Sequence, residues 1–553
     1  MFSRFFPVLL LTCLMALGTA AGPGGGPDLE QALRSITQDD LKTDIQILSS
    51  DEFEGRGPST PGEEKTLRFL KEKFIELGLK PGNGQSYFQE IPLKEITSRP
   101  VADLVVSGGN GTNRFRYHDE YVASTMRMVE QSGIDGSEMV FVGYGIVAPE
   151  YGWDDYKGID VRGKTVVMLI NDPGFATGDP ALFTGKAMTY YGRWTYKYEE
   201  AARQGAAGAF IVHETEPAAY PWAVVNNSFT GPQMSFAAED KNMTRAAIEG
   251  WLTVEAARRI FSQAGQSYDE LKAGAARRGF TAVPLGLTAS VSARNSIRNV
   301  VSNNVLALLP GSERKDECII YMAHWDHLGI DTTRTGDRIF NGALDNATGV
   351  AGLLELAQAF TKLEKRPSRS ILFISVTCEE QGLLGSEYYA DHPVFPLDHT
   401  VAALNMDAMN IMGQMKDITV IGYGDSELDD YVIEAARSQG RIVNPDPEPE
   451  KGSFFRSDHF SLAKRGVPVL YTGSGTDHVV HGVEWTRAQR DKYVAEKYHK
   501  PSDEFDPAWD LSGTVDDLRL LFKVGYKLAG ESTFPQWKEG VPFKAARDKY
   551  MRP

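Results

Sequence analysis

From Asn299 onward, short β-branched apolar runs alternate with stretches whose apolar residues recur at helical spacing. The runs are 304–309, 318–323, 370–376, 400–406, 418–421 and 467–471, and the helical stretches are 347–363, 384–389, 426–438 and 514–528. Runs this short and apolar suit strands covered on both faces. Strands joined through helices pair in parallel, because a parallel crossover needs a dozen or more residues. The pattern predicts an α/β fold, a mixed, mostly parallel sheet flanked by helices. Ligands of such sheets gather at the carboxyl ends of the strands.

The strand 370–376 carries Glu379-Glu380 just past that end. Two adjacent carboxylates in a confined site repel one another when both are ionised. A metal that captures one and leaves the other free as a base resolves the conflict; a solvated acidic turn is the plainer alternative. Other strand ends add to the first reading. Strand 318–323 runs into His324-Trp325-Asp326-His327, and strand 400–406 into Asp407. Asp345 opens a long helical stretch, where it could equally be a helix cap, and His499 sits in a loop before the last helix. Each signal is weak alone. Together they place two histidines, three carboxylates and a spare glutamate on one edge of the sheet. Imidazole and carboxylate donors without thiolate suit a catalytic zinc or manganese pair.

The ordered motifs Ala323-His324-x-Asp326, Asp345-Asn346-x-x-Gly349, Glu379-Glu380-x-Gly382, Asn405-Met406-Asp407 and His499-x-Pro501-x-Asp503 resemble the co-catalytic zinc peptidases. That family includes bacterial leucyl aminopeptidases, the Streptomyces-type aminopeptidase, glutamate carboxypeptidase, glutaminyl cyclase and the transferrin receptor. The resemblance implies two zinc ions per chain, one held by His324, Asp345 and Asp407, the other by Asp345, Glu380 and His499, with Asp345 bridging. It implies Glu379 as general base, a non-proline cis peptide after Asp345, Asp326 as a carboxylate orienting His324, and Asp503 bracing the loop of His499. Tyr498 is the phenol placed to stabilise an oxyanion, and Arg456 a residue of the substrate pocket. His327 reads as a neighbour of the site.

The chain of 553 residues exceeds one ordinary domain. Residues 28–130 and 293–530 form the expected catalytic domain. Between them, 131–292 is glycine-rich with short strands and resembles an inserted protease-associated domain; 531–553 reads as a C-terminal tail. Arg4, the apolar run 5–17 and the small residues 18–21 read as a signal peptide over 1–21, so the expectation is an exported protein, periplasmic or secreted, without a membrane anchor. Beyond it only Cys318 and Cys378 remain, at opposite ends of strands expected to be parallel neighbours, and they read as buried free thiols. The net charge of −16 argues against nucleic acid as a partner.

The function expected is a zinc-dependent exopeptidase acting on peptides, an aminopeptidase. The alternatives are a carboxypeptidase or dipeptidase of the same family, a glutaminyl cyclase, and a receptor-like binding protein, which the intact ligand set disfavours. A carboxypeptidase would need arginines for the substrate's carboxylate, a role open to Arg456.

Overall fold

In the computed structural model, which describes residues 27–551 other than Val101 and Asn110, the alternation becomes a parallel core with antiparallel edges. Phe88–Pro100 (β1) lies antiparallel to the 27-residue strand Val283–Leu309 (β2). The far end of β2 is antiparallel to Arg369–Val376 (β4). Arg314–His324 (β3) is parallel to β4 on one side and to Thr400–Asn405 (β5) on the other. Val469–Gly473 (β6) continues the sheet in parallel beyond β5.

The period-2 geometry of a strand sends alternate residues to opposite faces, and here both faces are buried. Ile319, Tyr321 and Ala323 of β3, with Ile371 and Phe373 of β4, join the core beneath Thr348–Thr361 (α1) and Ser512–Gly530 (α3). Cys318, Ile320 and Met322, with Leu372 and Ile374, enter the core on the other face. Both cysteines are buried free thiols. Cys318 pairs with Ser370 at one end of the β3–β4 ladder, whereas Cys378 lies past the other end. The register aligns His324 with Val376 and Met322 with Asn405. The three segments expected to carry ligands therefore leave the sheet side by side.

The inserted module has its own apolar core, built around the parallel strands Thr165–Leu169, Gly208–His213 and Ile248–Thr253. Its limits differ from those expected. Leu104, Val106, Phe115 and Tyr121 already pack in this core, so the module begins near 104 and not at 131. The expected boundary at 292/293 falls inside β2, which runs unbroken from the module into the central sheet. Alternation along β2 is half polar, with charged Arg294 and Arg298, and this concealed its length from a reading of apolar runs.

The described part of the C-terminal tail, 531–551, packs against the rest of the chain. Trp537 and Arg547 are about as buried as core residues, at 2% and 1% exposed. The Trp537 indole donates to the Gly466 carbonyl at 2.9 Å, and Arg547 donates to the carbonyls of Leu397 and Thr400. The expected signal peptide lies outside the described residues. Among the described residues no helix is long and apolar enough to cross a membrane.

Candidate metal centre

His324 ends β3 as a 1% exposed side chain. Its Nδ1 lies 3.1 Å from the main-chain carbonyl of Asp326, which fixes the tautomer with the proton on Nδ1 and turns Nε2 outward. That Nε2 lies 3.4 Å from both Asp345 Oδ1 and Asp407 Oδ1. His499 Nε2 lies 3.3 Å from the other oxygen of Asp345 and 3.1 Å from Glu380 Oε2. The two oxygens of Asp345 thus face two different imidazoles, with Asp407 beside one and Glu380 beside the other.

Asp345 is held from three directions. Its own N–H and that of Leu344 donate to the buried Asp503 carboxylate at 3.2 Å. The Asp345-Asn346 peptide bond is cis. Asn346 accepts from the N–H groups of Gly349 and Ala408 and donates to the Met406 carbonyl, tying this loop to the one that carries Asp407. A Cβ at position 349 would collide with Asn346 Oδ1 and the Met406 carbonyl, which explains the glycine of that motif.

One supporting contact differs from expectation. Asp326 reaches His324 through its main-chain oxygen; its carboxylate instead accepts the N–H of Glu379 at 3.0 Å and lies 3.4 Å from that of Glu380. A side chain fully buried beneath the Glu379-Glu380 turn can reach those amides, whereas its closest approach to the imidazole is 3.8 Å. Asp503 joins Asp345 to the loop of His499: its carboxylate holds the N–H groups of Leu344 and Asp345, and its own N–H donates to the Lys500 carbonyl in the loop of His499 at 3.1 Å. That loop is also held by the inserted module: Ser228 Oγ lies 2.9 Å from His499 Nδ1, and Asn227 donates to the His499 carbonyl at 2.9 Å.

Sequence reasoning missed Asn227 and Ser228 because contacts across roughly 270 residues leave no local pattern. It also missed Arg56, 1% exposed, which donates to the carbonyls of Trp325, Leu48, Asn341 and Gly342 and so pins the segments flanking His324 and Asp345. His327 lies nearer than expected, its Nδ1 2.6 Å from Glu380 Oε1. Donor atoms cluster within 4.8 Å in two groups, His324 with Glu379 and Asp407, and His327 with Asp345 and Glu380.

The charges divide the acids. Burial would raise Asp345, but His324 and His499 outweigh it and hold the carboxyl well below its ordinary range. Burial, reinforced by Asp407, Glu380 and Asp458, pushes the Glu379 carboxyl well above that range, against the pull of His324. One group is thus held as an anion, and the other binds a proton more tightly than an ordinary carboxylate.

The donor set fits zinc. The four imidazole–carboxylate separations, 3.1–3.4 Å, exceed the ~2.7–2.9 Å of direct charge-assisted hydrogen bonds. They match the roughly 3.3 Å between ligand atoms that bonds of ~2.0–2.1 Å in a tetrahedron require.

Two cavities adjoin these groups. One of about 610 Å³ runs from Asp407 past Met409, Ile411 and Tyr493, and is mostly apolar. The other, about 300 Å³, lies beneath the inserted module and is bordered by Glu379, His499, Tyr498, Arg456, Arg193 and Tyr220. Arg456 Nη2 donates to Tyr498 Oη at 3.1 Å, which leaves the phenolic proton free.

Residues 304–522 match the profile of peptidase family M28. This segment belongs to peptidase family M28. Among curated proteins, the chain is 34% identical over 129 residues to the mouse (Mus musculus) protein named aminopeptidase NAALADL1, over 22% of this chain and 16% of that one. It is 27% identical over 266 residues to a probable glutamate carboxypeptidase of Arthroderma benhamiae, over 45% of this chain and 33% of that one. The chain spans less than half the length of these relatives. Among solved structures, an aminopeptidase from Aneurinibacillus sp. strain AM-1 superposes over 92% of this chain and 97% of its own, with a TM-score of 0.54 at 19% identity. That likeness is one of fold, and it takes in the inserted module as well as the central sheet.

Proposed function

We propose that the protein is a di-zinc exopeptidase that removes N-terminal residues from peptides. The observation that carries the reading is the division of Asp345 between two imidazoles, which suits a carboxylate shared by two ions. His324, Asp345 and Asp407 would hold one zinc, and Asp345, Glu380 and His499 the other. When bound, zinc acts as a Lewis acid and brings the pKa of a water toward about 7.

The remaining chemistry belongs to the chain. The Glu379 carboxylate, desolvated and left out of both ligand sets, takes a proton from the attacking water and returns it to the leaving amine. Asp326 keeps Glu379 in register by holding its N–H. Tyr498, steadied by Arg456, donates its phenolic proton toward the oxygen that gains charge. His327 orients Glu380 through the short contact at Oε1. The inserted module, read as a protease-associated domain, closes the chamber and supports His499 through Ser228. The leading segment 1–21 would export the protein.

A second reading, carboxypeptidase or dipeptidase, is favoured by the arginines in the smaller chamber. Short peptides with each terminus free or blocked, given to zinc-loaded protein and analysed by mass spectrometry, separate the two. Stepwise N-terminal loss, abolished only by blocking the amine, is the expected result. Dependence on the carboxyl terminus alone selects the second reading.

A further inference from the structure

The helix Gly482–Glu496 (α2) has little beneath it. It spans fifteen residues, of which Thr486 alone is buried. Helices in folded chains are held chiefly by an apolar face packed on the core. Helix α2 instead lays Trp485, Gln489 and Tyr493 along the larger cavity, the mostly apolar space of about 610 Å³ that starts at Asp407. Its other ties are few. Arg490 donates to the carbonyls of Ser474 and Gly475 at 2.8 and 3.0 Å, and the Trp485 ring centre lies 4.9 and 4.6 Å from those of His478 and His481. The backbone turns left-handed at the first residue of α2, Gly482 (φ +75°), and again just past its end at His499 (φ +53°).

Tyr493 joins this helix to the metal centre by two routes. Its phenol donates to Asp503 Oδ2 at 3.3 Å, the one side-chain donor to Asp503 among the described residues. Asp503 is fully buried and holds the N–H groups of Leu344 and Asp345. The Tyr493 carbonyl accepts from the N–H groups of Lys497 and Tyr498 at 2.8 and 3.0 Å, which sets the chain immediately before His499. The Tyr493 ring meanwhile forms part of the cavity wall. A group that fills the cavity therefore touches the same residue that steadies Asp345 and the approach to His499.

An apolar group in the cavity gives α2 the packing that the rest of the chain does not, and it does so only while the helix lies in the position seen here. A ligand shifts such an equilibrium by as much as its contacts differ between the two positions. Burying a leucine side chain is worth about tenfold or more in an equilibrium constant. We propose that Tyr493 is a positioning residue through which a side chain seated in the larger cavity fixes Asp345, so that peptides filling the cavity are turned over faster and not merely bound more tightly. This role rests on the peptidase reading and deepens it: binding energy gained away from the cleaved bond appears in kcat.

The test gives the zinc-saturated full chain Leu-Gly-Gly and Gly-Gly-Gly. Parent kcat should be higher for Leu-Gly-Gly by about tenfold or more. Tyr493→Phe keeps the ring in the cavity wall and removes the O–H. It should lower kcat for Leu-Gly-Gly by about tenfold, to within about twofold of Gly-Gly-Gly, with both KM values inside about threefold of the parent's. Equal parent kcat values, a loss shared alike by both peptides, or a preference that survives Tyr493→Phe overturns the role. If no peptide is hydrolysed, the peptidase reading fails, and amide exchange with N-acetyl-leucinamide, a neutral leucine mimic, still decides this one. In the parent the mimic should slow exchange in both 343–347 and 482–496 relative to N-acetyl-glycinamide, and in Tyr493→Phe it should slow 482–496 alone. Unslowed exchange of 343–347 in the parent, or the same slowing in both proteins, overturns the coupling.

Discussion

Removing one hydroxyl of the inserted module should loosen one zinc and not the other. Ser228 Oγ is 2.9 Å from His499 Nδ1. With Nε2 directed at Asp345 and Glu380, the His499 proton resides on Nδ1, and Ser228 accepts it. Ser228→Ala leaves that N–H without its partner in a site where the imidazole is only 7% exposed. Hydrogen-bond partners of metal-bound histidines are worth about 10–100-fold in metal affinity, or roughly 1.4–2.7 kcal/mol. The range agrees with the ~1.5–3 kcal/mol of hydrogen bonds to charged groups. His324 draws its support from the Asp326 carbonyl and is untouched. Titration against a competing chelator should therefore show one zinc weakened by about 10–100-fold and the other unchanged, with activity recovered at higher free zinc. Ser228→Thr, which keeps the oxygen, should restore most of the loss. Two unchanged affinities would show that the module does not support the site, and equal weakening of both ions would refute the assignment of His499 to one of them.

Asp503→Asn should act differently, because Asp503 holds the N–H groups of Leu344 and Asp345 and Asp345 is shared; both zinc affinities should fall together in the same titration. Glu379→Gln should lower kcat by about 10²–10⁴-fold while metal analysis still finds two zinc ions per chain; loss of zinc would make Glu379 a ligand. Far from the centre, burial and then Asp40 and Asp44 raise the Glu355 carboxyl to about 8 from an ordinary 4.5. The folded chain then keeps a proton that the unfolded chain releases. Stability from this group is full below about pH 4.5 and is lost as the pH rises through about 8. Glu355→Gln should leave the urea midpoint near its parent value at pH 5 and raise it at pH 8.5, and parallel profiles for the two proteins would exclude this titration.

The central sheet was legible because its strands are buried on both faces, and continuous apolar runs mark such strands without help from the rest of the chain. Most residues of the candidate centre were legible for a related reason: all but the loop residue His499 end or follow a strand or open a helix, so sequence order maps onto one edge of the sheet. Strand β2 was not, since half of its residues face water around Arg294 and Arg298 and only 304–309 reads as apolar. The helix Gly482–Glu496 was also missed; Thr486 is its one buried residue, and it carries little helical periodicity. The roles of Asp326, Asp503 and Ser228 depend on which long-range neighbour each side chain meets. Asp326 shows the limit most clearly, because its residue type suggested a carboxylate–histidine contact while the chain geometry delivered a carbonyl instead.

The β1–β2 ladder also sets a timetable for synthesis. Residues Phe88–Pro100 pair one-to-one with Val305–Ala293, yet roughly 180 residues separate the end of β1 from the start of β2. At about 5–20 residues per second, β1 leaves the ribosome about 10–40 s before β2 begins to follow. Its other edge finds Pro232–Phe236 sooner, so during that interval the half-apolar strand carries one row of unpaired amides. Such an edge is a template for pairing with another chain. Cells making this protein must therefore shield β1 until residue 305 has emerged, and truncations that end before β2 should aggregate through that edge.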